Sequence, residues 1–361
     1  MMKGDKYIWI ISIFLYLFSI LIILSTTTSL NICNINNPFS HVIKHSCTVI
    51  LGIIIIYICH LINYKCYFYI SNILILISIF LLLYTLFFGI NINQASRWIY
   101  LPILDLTFQT SDLSTLSLIL FLSSEIYIHK IKQNNRILIS LLIIIITCSL
   151  IAPYNLSTSL ILFLNSVILF YISNIEHKYI FYLFILICIL LSFIWVYSPR
   201  KSIYKSRITA FLQSNIVLDD NNYQINQAKI AIYTGGLFGK GPGKSLQRNH
   251  LPFSYNDFIY AIIIEEYGLI LGAIFILFLY FIIMYRIIKI VIIGKEIFGV
   301  ILITGLGINI IIQTLLSASV NIGIFPVTGV SFPFLSMGGT SVIFNSIKLG
   351  IILNISRYNK T

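Results

Sequence analysis

Charge is what this chain lacks. Asp, Glu, Lys and Arg make up 9% of its 361 residues, and the acids number 11. The apolar fraction is 58%, above the ~45–50% usual for soluble domains, which excludes a water-soluble fold. The apolar runs also lack the period-two alternation of barrel strands, so the class that remains is an all-α polytopic membrane protein. Alanine and tryptophan are scarce while Ile, Asn, Lys, Tyr and Phe abound, the bias of an AT-rich coding genome. The cysteines at 33, 47, 59, 66, 148 and 188 form no C-x-x-C pair and no metal-ligand spacing, so they read as small apolar residues or free thiols.

Apolar segments of spanning length fall at about 8–24, 47–62, 68–88, 113–129, 137–152, 156–174, 179–197, 258–285, 297–318 and 334–355, about ten in all. With a cytoplasmic N-terminus, twelve Lys and Arg from Lys3 to Lys360 fall on inner ends and loops, and only Lys44 and Arg97 on outer short loops. That asymmetry places both termini in the cytoplasm. The first segment follows Lys3 and Lys6 as a signal peptide would, but a second membrane segment follows, so it reads as a retained helix. One domain, 1–361, is expected, with a long outer loop at about 198–256 between the seventh and eighth helices. Within that loop Arg200, Lys201 and Lys205 read as an interfacial anchor toward anionic lipid.

Against this background the acids stand out. Asp257 precedes an apolar run and Glu265 and Glu266 lie inside it, where an unpaired carboxylate costs ~2.5–3.5 kcal/mol on insertion scales. If 257–266 is one helix, Glu265 lies about 80° around from Asp257 and Glu266 about opposite. Upstream runs a glycine-rich stretch, Gly235-Gly236-Leu237-Phe238-Gly239-Lys240-Gly241-Pro242-Gly243-Lys244-Ser245. Its backbone N–H groups and lysines suit a phosphate, although the spacing is not that of a strand-helix nucleotide loop. A solvated basic loop is the bland alternative. Gly268 and Gly272 have the G-x-x-x-G spacing of close helix packing.

Several ordered segments carry a resemblance: SRWIYLP and FQTSD at 96–112, AKIAIYTGGLFGKGPGKSLQRNHLPFSYNDFIYAIIIEEYG from Ala228, and NIGIFPVTGVSFPFLSMGGTSVIFNSIKLGIILNISR from Asn321. Together they resemble the SEDS family of cell-wall glycosyltransferases, and GPGKSLQRN is closer to its division branch than to its elongation branch. The resemblance implies an inverting enzyme that polymerises lipid II, an undecaprenyl-diphosphate-linked disaccharide peptide, at the outer face of the bacterial cytoplasmic membrane and at the division septum. It places the catalytic carboxylate on Asp257. Substrate contacts are expected from Arg207, Lys240, Lys244, Arg248, Trp98, Asp112, Glu265, Glu266 and Ser336. The implied partners are a class B penicillin-binding transpeptidase and other division proteins, with no nucleic acid. No metal cluster of the chain's own is expected, although a divalent cation, Mg or Mn, bridging the diphosphate to a carboxylate suits the chemistry.

The chain departs from the family pattern in places. The family's acid before the fourth helix is Asp112, without the preceding proline; the lysine three residues later is Thr115, and the histidine two before the catalytic aspartate is Tyr255. Pro153-Tyr154-Asn155-Leu156-Ser157-Thr158 matches a family turn only loosely, and Lys348 is an intramembrane charge without an assigned role. Two other readings compete, a lipid II flippase and a non-catalytic scaffold that recruits a transpeptidase. A flippase needs a polar path through both leaflets, whereas the charges here concentrate toward the outer end.

Overall fold

A computed structural model of the chain describes residues 4–27, 38–92, 95–101, 106–132, 136–197, 200–212, 220–251 and 255–358. Lys3, Cys33, Lys360 and one end of the long loop, Ser198, lie outside them. The helices are α1 (Lys6–Thr27), α2 (Pro38–Leu61), α3 (Lys65–Phe88), α4 (Thr110–Lys132), α5 (Ile137–Ile151), α6 (Leu156–Ile172), α7 (His177–Tyr197), α8 (Lys201–Leu212), α9 (Asp220–Gly235), α10 (Ile259–Gly268), α11 (Phe275–Ile293), α12 (Ile297–Ile322) and α13 (Gly339–Tyr358). Seven stretches are long and apolar enough to cross a membrane, with 259–293 taken as one, and α5, α6 and 177–190 of α7 are shorter apolar helices. The chain is a polytopic helical membrane protein.

Helices α4 and α13 are mostly enclosed by the others, whereas α3 and α11 turn Leu76, Phe80, Phe87, Phe278 and Ile292 outward, as lipid-facing helices do. Inside, serine and threonine hydroxyls return to carbonyls of their own helix, as Ser114 does to Thr110 and Ser123 to Ile119, so polar α4 is satisfied without water. One end of the bundle is pinned by charge. Arg286 Nε donates to Asp5 at 2.9 Å, Lys65 lies 3.5 Å from Glu296, and Arg136 lies 3.3 Å from Glu125. The opposite end carries α8, α9 and the segments 236–258 and 323–338.

Two features depart from the sequence reading. A three-stranded antiparallel sheet, β1 (Ile90–Ile92), β2 (Ala95–Leu101) and β3 (Leu106–Gln109), joins α3 to α4. Its register sets Trp98 opposite both Ile90 and Gln109. The second departure concerns 258–285, expected as one span. The chain reverses at Gly268, whose φ of 78° and ψ of −178° leave the helical region. Gly272 then lies against the backbone of Ile263 and Ile264, and the Tyr260 hydroxyl donates to the Ala273 carbonyl at 3.2 Å. A straight helix would hold residues 13 apart ~20 Å from each other. Helix α10 therefore folds back against the start of the next helix, which begins with a wide six-residue turn, Leu269–Ile274, before α11. The G-x-x-x-G spacing serves this hairpin rather than contact with a separate helix.

Candidate functional site

Asp257 lies in the turn before α10, not within it, so the helical-wheel placement of the two glutamates relative to it does not apply. Its position is fixed through its backbone. Asn321, at the end of α12, donates from Nδ2 to the Asp257 carbonyl at 2.9 Å and accepts the Ala261 N–H at 3.1 Å, capping α10 from outside. Ser336 Oγ donates to the Asn256 carbonyl at 2.7 Å, and the Met337 N–H donates to the Tyr255 carbonyl at 3.0 Å. Ser336 also accepts the Phe332 N–H, so it acts as a brace beneath the aspartate. Among the described residues the Asp257 carboxylate itself takes no hydrogen bond and no ion pair within 4 Å.

Two arginines from distant parts of the chain, Arg97 and Arg207, act electrostatically on this carboxylate, and a third, Arg200, lies beside those two. Arg97 of β2 donates from Nε to the Tyr154 carbonyl at 2.6 Å, and Arg200, just before α8, donates from Nη1 to the same oxygen at 2.8 Å. Arg207 of α8 donates from Nη1 to the Val327 carbonyl at 2.9 Å, while its Nε is buried without a partner. The turn at Pro153 and Tyr154 thus acts as a carbonyl anchor for Arg97 and Arg200, reinforced by Tyr204, whose hydroxyl donates to the Pro153 carbonyl at 3.2 Å. Arg200 is buried, not placed at the membrane surface as expected.

Burial pushes the Asp257 carboxyl up from 3.8 to about 6, and the nearby Arg207 and Arg97 pull the other way without prevailing. Burial, followed by the charge of Arg200, lowers Arg97 to about 10, and the same two causes lower Arg207. Three mutually repelling cations and one carboxylate leave an uncompensated positive charge. Such a cluster accommodates an anion with more than one negative charge.

The other predicted residues gather at the far end of α10, about 12 Å away along the helix. Glu265 is enclosed by the glycine-rich loop. Its carboxylate accepts from Lys240 Nζ at 2.6 Å, from the N–H groups of Leu246 and Gln247 at 3.1 and 3.2 Å, and from Ser245 Oγ. The donors that suited a phosphate are taken up by an internal carboxylate, and Lys240 is held with them. Glu266 accepts from Ser25 Oγ of α1, and Arg248 Nη1 donates to the Ser25 carbonyl at 2.6 Å, fastening the loop to α1. Lys244 is exposed. The loop also completes the Gly268 hairpin: the carbonyls of Glu265 and Glu266 accept from Lys240 and Gly241, and the carbonyls of Gly236 and Leu237 accept from Leu269 and Ile270.

Of the remaining residues, Trp98 is half-buried on β2 beside Arg97, and Asp112 lies inside the bundle, accepting from Thr340 Oγ1 at 3.3 Å. From sequence Arg97 was read only as an outer-loop charge and Arg200 as part of an interfacial anchor, neither as a site residue, although Arg97 sits within the SRWIYLP segment. Among the described residues no group of three or more His, Cys, Asp or Glu could hold a metal, and five cysteines are free thiols. Asp257 would give a cation one carboxylate, with phosphate oxygens and water left to complete the shell.

The cell cycle protein family model of FtsW, RodA and SpoVE matches residues 5–361. A probable peptidoglycan glycosyltransferase FtsW of Buchnera aphidicola subsp. Schizaphis graminum is 31% identical over 296 residues, 79% of this chain and 81% of that protein. Its counterpart in Aliivibrio salmonicida is 28% identical over 365 residues, 98% and 89% of the two chains. Among solved structures, a chain from a peptidoglycan synthase complex that coordinates polymerization and crosslinking has a TM-score of 0.77 at 19% identity, covering 99% of this chain and 98% of its own. The rod shape determining protein RodA of Thermus thermophilus has a TM-score of 0.68 at 20% identity, with 99% and 98% covered. The chain belongs to the FtsW, RodA and SpoVE family of cell cycle proteins.

Proposed function

We propose that the chain is a peptidoglycan glycosyltransferase of cell division that extends glycan strands from lipid II. The observation that carries the reading is the unengaged Asp257 carboxylate in the field of Arg97 and Arg207, with Arg200 next to those two. In the reaction an acceptor sugar hydroxyl gives its proton to Asp257 as its oxygen forms a bond to the anomeric carbon of the donor. The bond from that carbon to the diphosphate oxygen breaks on the opposite side, inverting the centre, and the electron pair leaves with the diphosphate. A general base contributes ~10²–10⁴-fold to such a step. The arginines stabilise the developing charge on the leaving group, with donors already oriented by the Tyr154 and Val327 carbonyls.

The cluster lies at the end of the bundle that the positive-inside rule assigns to the outer side of the bacterial cytoplasmic membrane, with both termini cytoplasmic and the division septum as the place of action. Asp257 would be the one carboxylate to hold a magnesium or manganese ion, which would supply positive charge toward the leaving group. The likeness to a chain from a synthase complex that couples polymerization to crosslinking supports a class B penicillin-binding transpeptidase as partner. The test is polymerisation of lipid II by the purified protein, with and without that transpeptidase, against Asp257→Asn. Polymer from wild type and none from the variant supports the reading. Equal polymer from both removes Asp257 as base, and lipid II translocation without polymer favours the flippase.

A further inference from the structure

Inside the bundle, on α4 and α13, lie two opposite charges that the proposed reaction does not use, Asp112 and Lys348. Lys348 is 2% exposed. Its Nζ donates to Asn309 Oδ1 of α12 at 2.8 Å and to Asn345 Oδ1, one turn earlier on α13, at 3.0 Å. Both partners are neutral, so neither balances the ammonium charge. The counter-charge comes from α4: Asp112 and Lys348 act on each other electrostatically, and Asp112 is also bound to Thr340, the second residue of α13. A lysine at 348 reaches back toward the N-terminus of its helix, as its bond to Asn345 shows, and so leans toward the Thr340 level where Asp112 sits.

The residues just before Thr340 on the chain are those that brace the catalytic turn. Ser336 and Met337 bind the carbonyls of Asn256 and Tyr255, next to Asp257. The charge of Lys348 acts on Asp112, Asp112 accepts from Thr340, and three residues before Thr340 the backbone reaches Met337 and then Ser336, the support of Asp257. We propose that Lys348 is a positioning residue for glycan polymerisation: its buried charge, opposite to that of Asp112, holds the Asp112–Thr340 contact, which clamps the start of α13 against α4 so that the Ser336 brace keeps Asp257 in place. This rests on the glycosyltransferase reading.

What the clamp requires is a positive charge near Asp112, not a lysine on a particular helix. Thr115 lies one turn from Asp112 on α4, buried, with its hydroxyl spent on the Ser111 carbonyl, and a lysine there shares Asp112's helix face. The experiment compares full-length wild type, Lys348→Met and the double variant Lys348→Met with Thr115→Lys, all purified, in lipid II polymerisation and thermal unfolding. Lys348→Met is expected to lower turnover at least ~10-fold with KM within ~2-fold, and the double variant to return to within ~3-fold of wild type. Rescue from another helix is a result that a packing role for Lys348 does not give. Wild-type turnover in Lys348→Met overturns the proposal. So does a double variant that unfolds at the wild-type temperature yet stays as inactive as the single one, or failure of both variants to accumulate. If wild type makes no polymer, the glycosyltransferase reading fails instead, and the clamp is judged by unfolding alone: a midpoint lowered in Lys348→Met and restored by Thr115→Lys supports it, and one unmoved by either change refutes it.

Discussion

Asp257 is a stronger base than a solvated aspartate because protein has replaced much of its water, and that gain carries a cost in stability. A carboxyl raised from 3.8 to about 6 favours its neutral form in the fold, so the stability it contributes is present below pH 4 and lost as pH rises through 6. Replacing Asp257 by Asn is therefore expected to cut polymerisation by ~10² or more while raising the unfolding midpoint at pH 7, with no such rise at pH 4. Calorimetry beside the polymerisation assay checks both halves. Arg207 pulls the other way on the same proton. Arg207→Gln should move the acid limb of the rate profile upward from about 6, because the unopposed carboxyl holds its proton to higher pH; an acid limb unmoved in the variant would detach Arg207 from Asp257. Asp257 was legible in the sequence because its motif is local. Arg97 and Arg200 were not, since they meet at the Tyr154 carbonyl from positions 97 and 200, and no periodicity links such distant residues.

The hairpin formed by α10 and α11 is held by the glycine-rich loop, and its glycines are not equivalent. At Gly239, φ is +79°, and a Cβ would stand 2.5 Å from the Gly268 nitrogen and nearer still to the Glu266 carbonyl. At Gly243, φ is +76° but the space around it is open. Gly243→Ala should thus cost only the backbone strain of ~1–2 kcal/mol, whereas Gly239→Ala must also push the loop backbone away from the hairpin and should cost several kcal/mol. Unfolding midpoints of the two variants test the ranking, and equal losses would contradict it. The loop was conspicuous in sequence as glycine and lysine, but its partner was not: Glu265 fills it from α10, so composition suggested an external phosphate where the fold supplies a carboxylate. The reversal at Gly268 was hidden for a similar reason. Apolar residues continue on both sides of it, and hydropathy records no direction of travel. The sheet at 90–109 escaped notice because its strands are short and lie between two long apolar runs.

For the molecule as a whole, the sequence foresaw a helical membrane bundle, because the composition left few alternatives, and the ends of that bundle separate its two kinds of charge. Pairs such as Asp5 with Arg286 close one end, and the arginine cluster occupies the other. Orientation is tested with single cysteines in a cysteine-free background. Cysteine in place of exposed Lys244 should react with an impermeant thiol reagent on intact cells, and cysteine in place of exposed Lys295 only after the membrane is broken; the reverse pattern would invert the topology. The fold-back of α10 then bears on which molecules can react at all. Its ten residues rise ~15 Å along the helix axis, so the Asp257 turn and the Gly268 reversal stand at opposite ends of α10. A freely dissolved sugar would have to abandon its hydration shell to enter the leaflet, whereas one tethered to a hydrocarbon chain already in the leaflet arrives sideways. In the proposed reaction, entry from the leaflet would filter donors by their anchor before any contact is made.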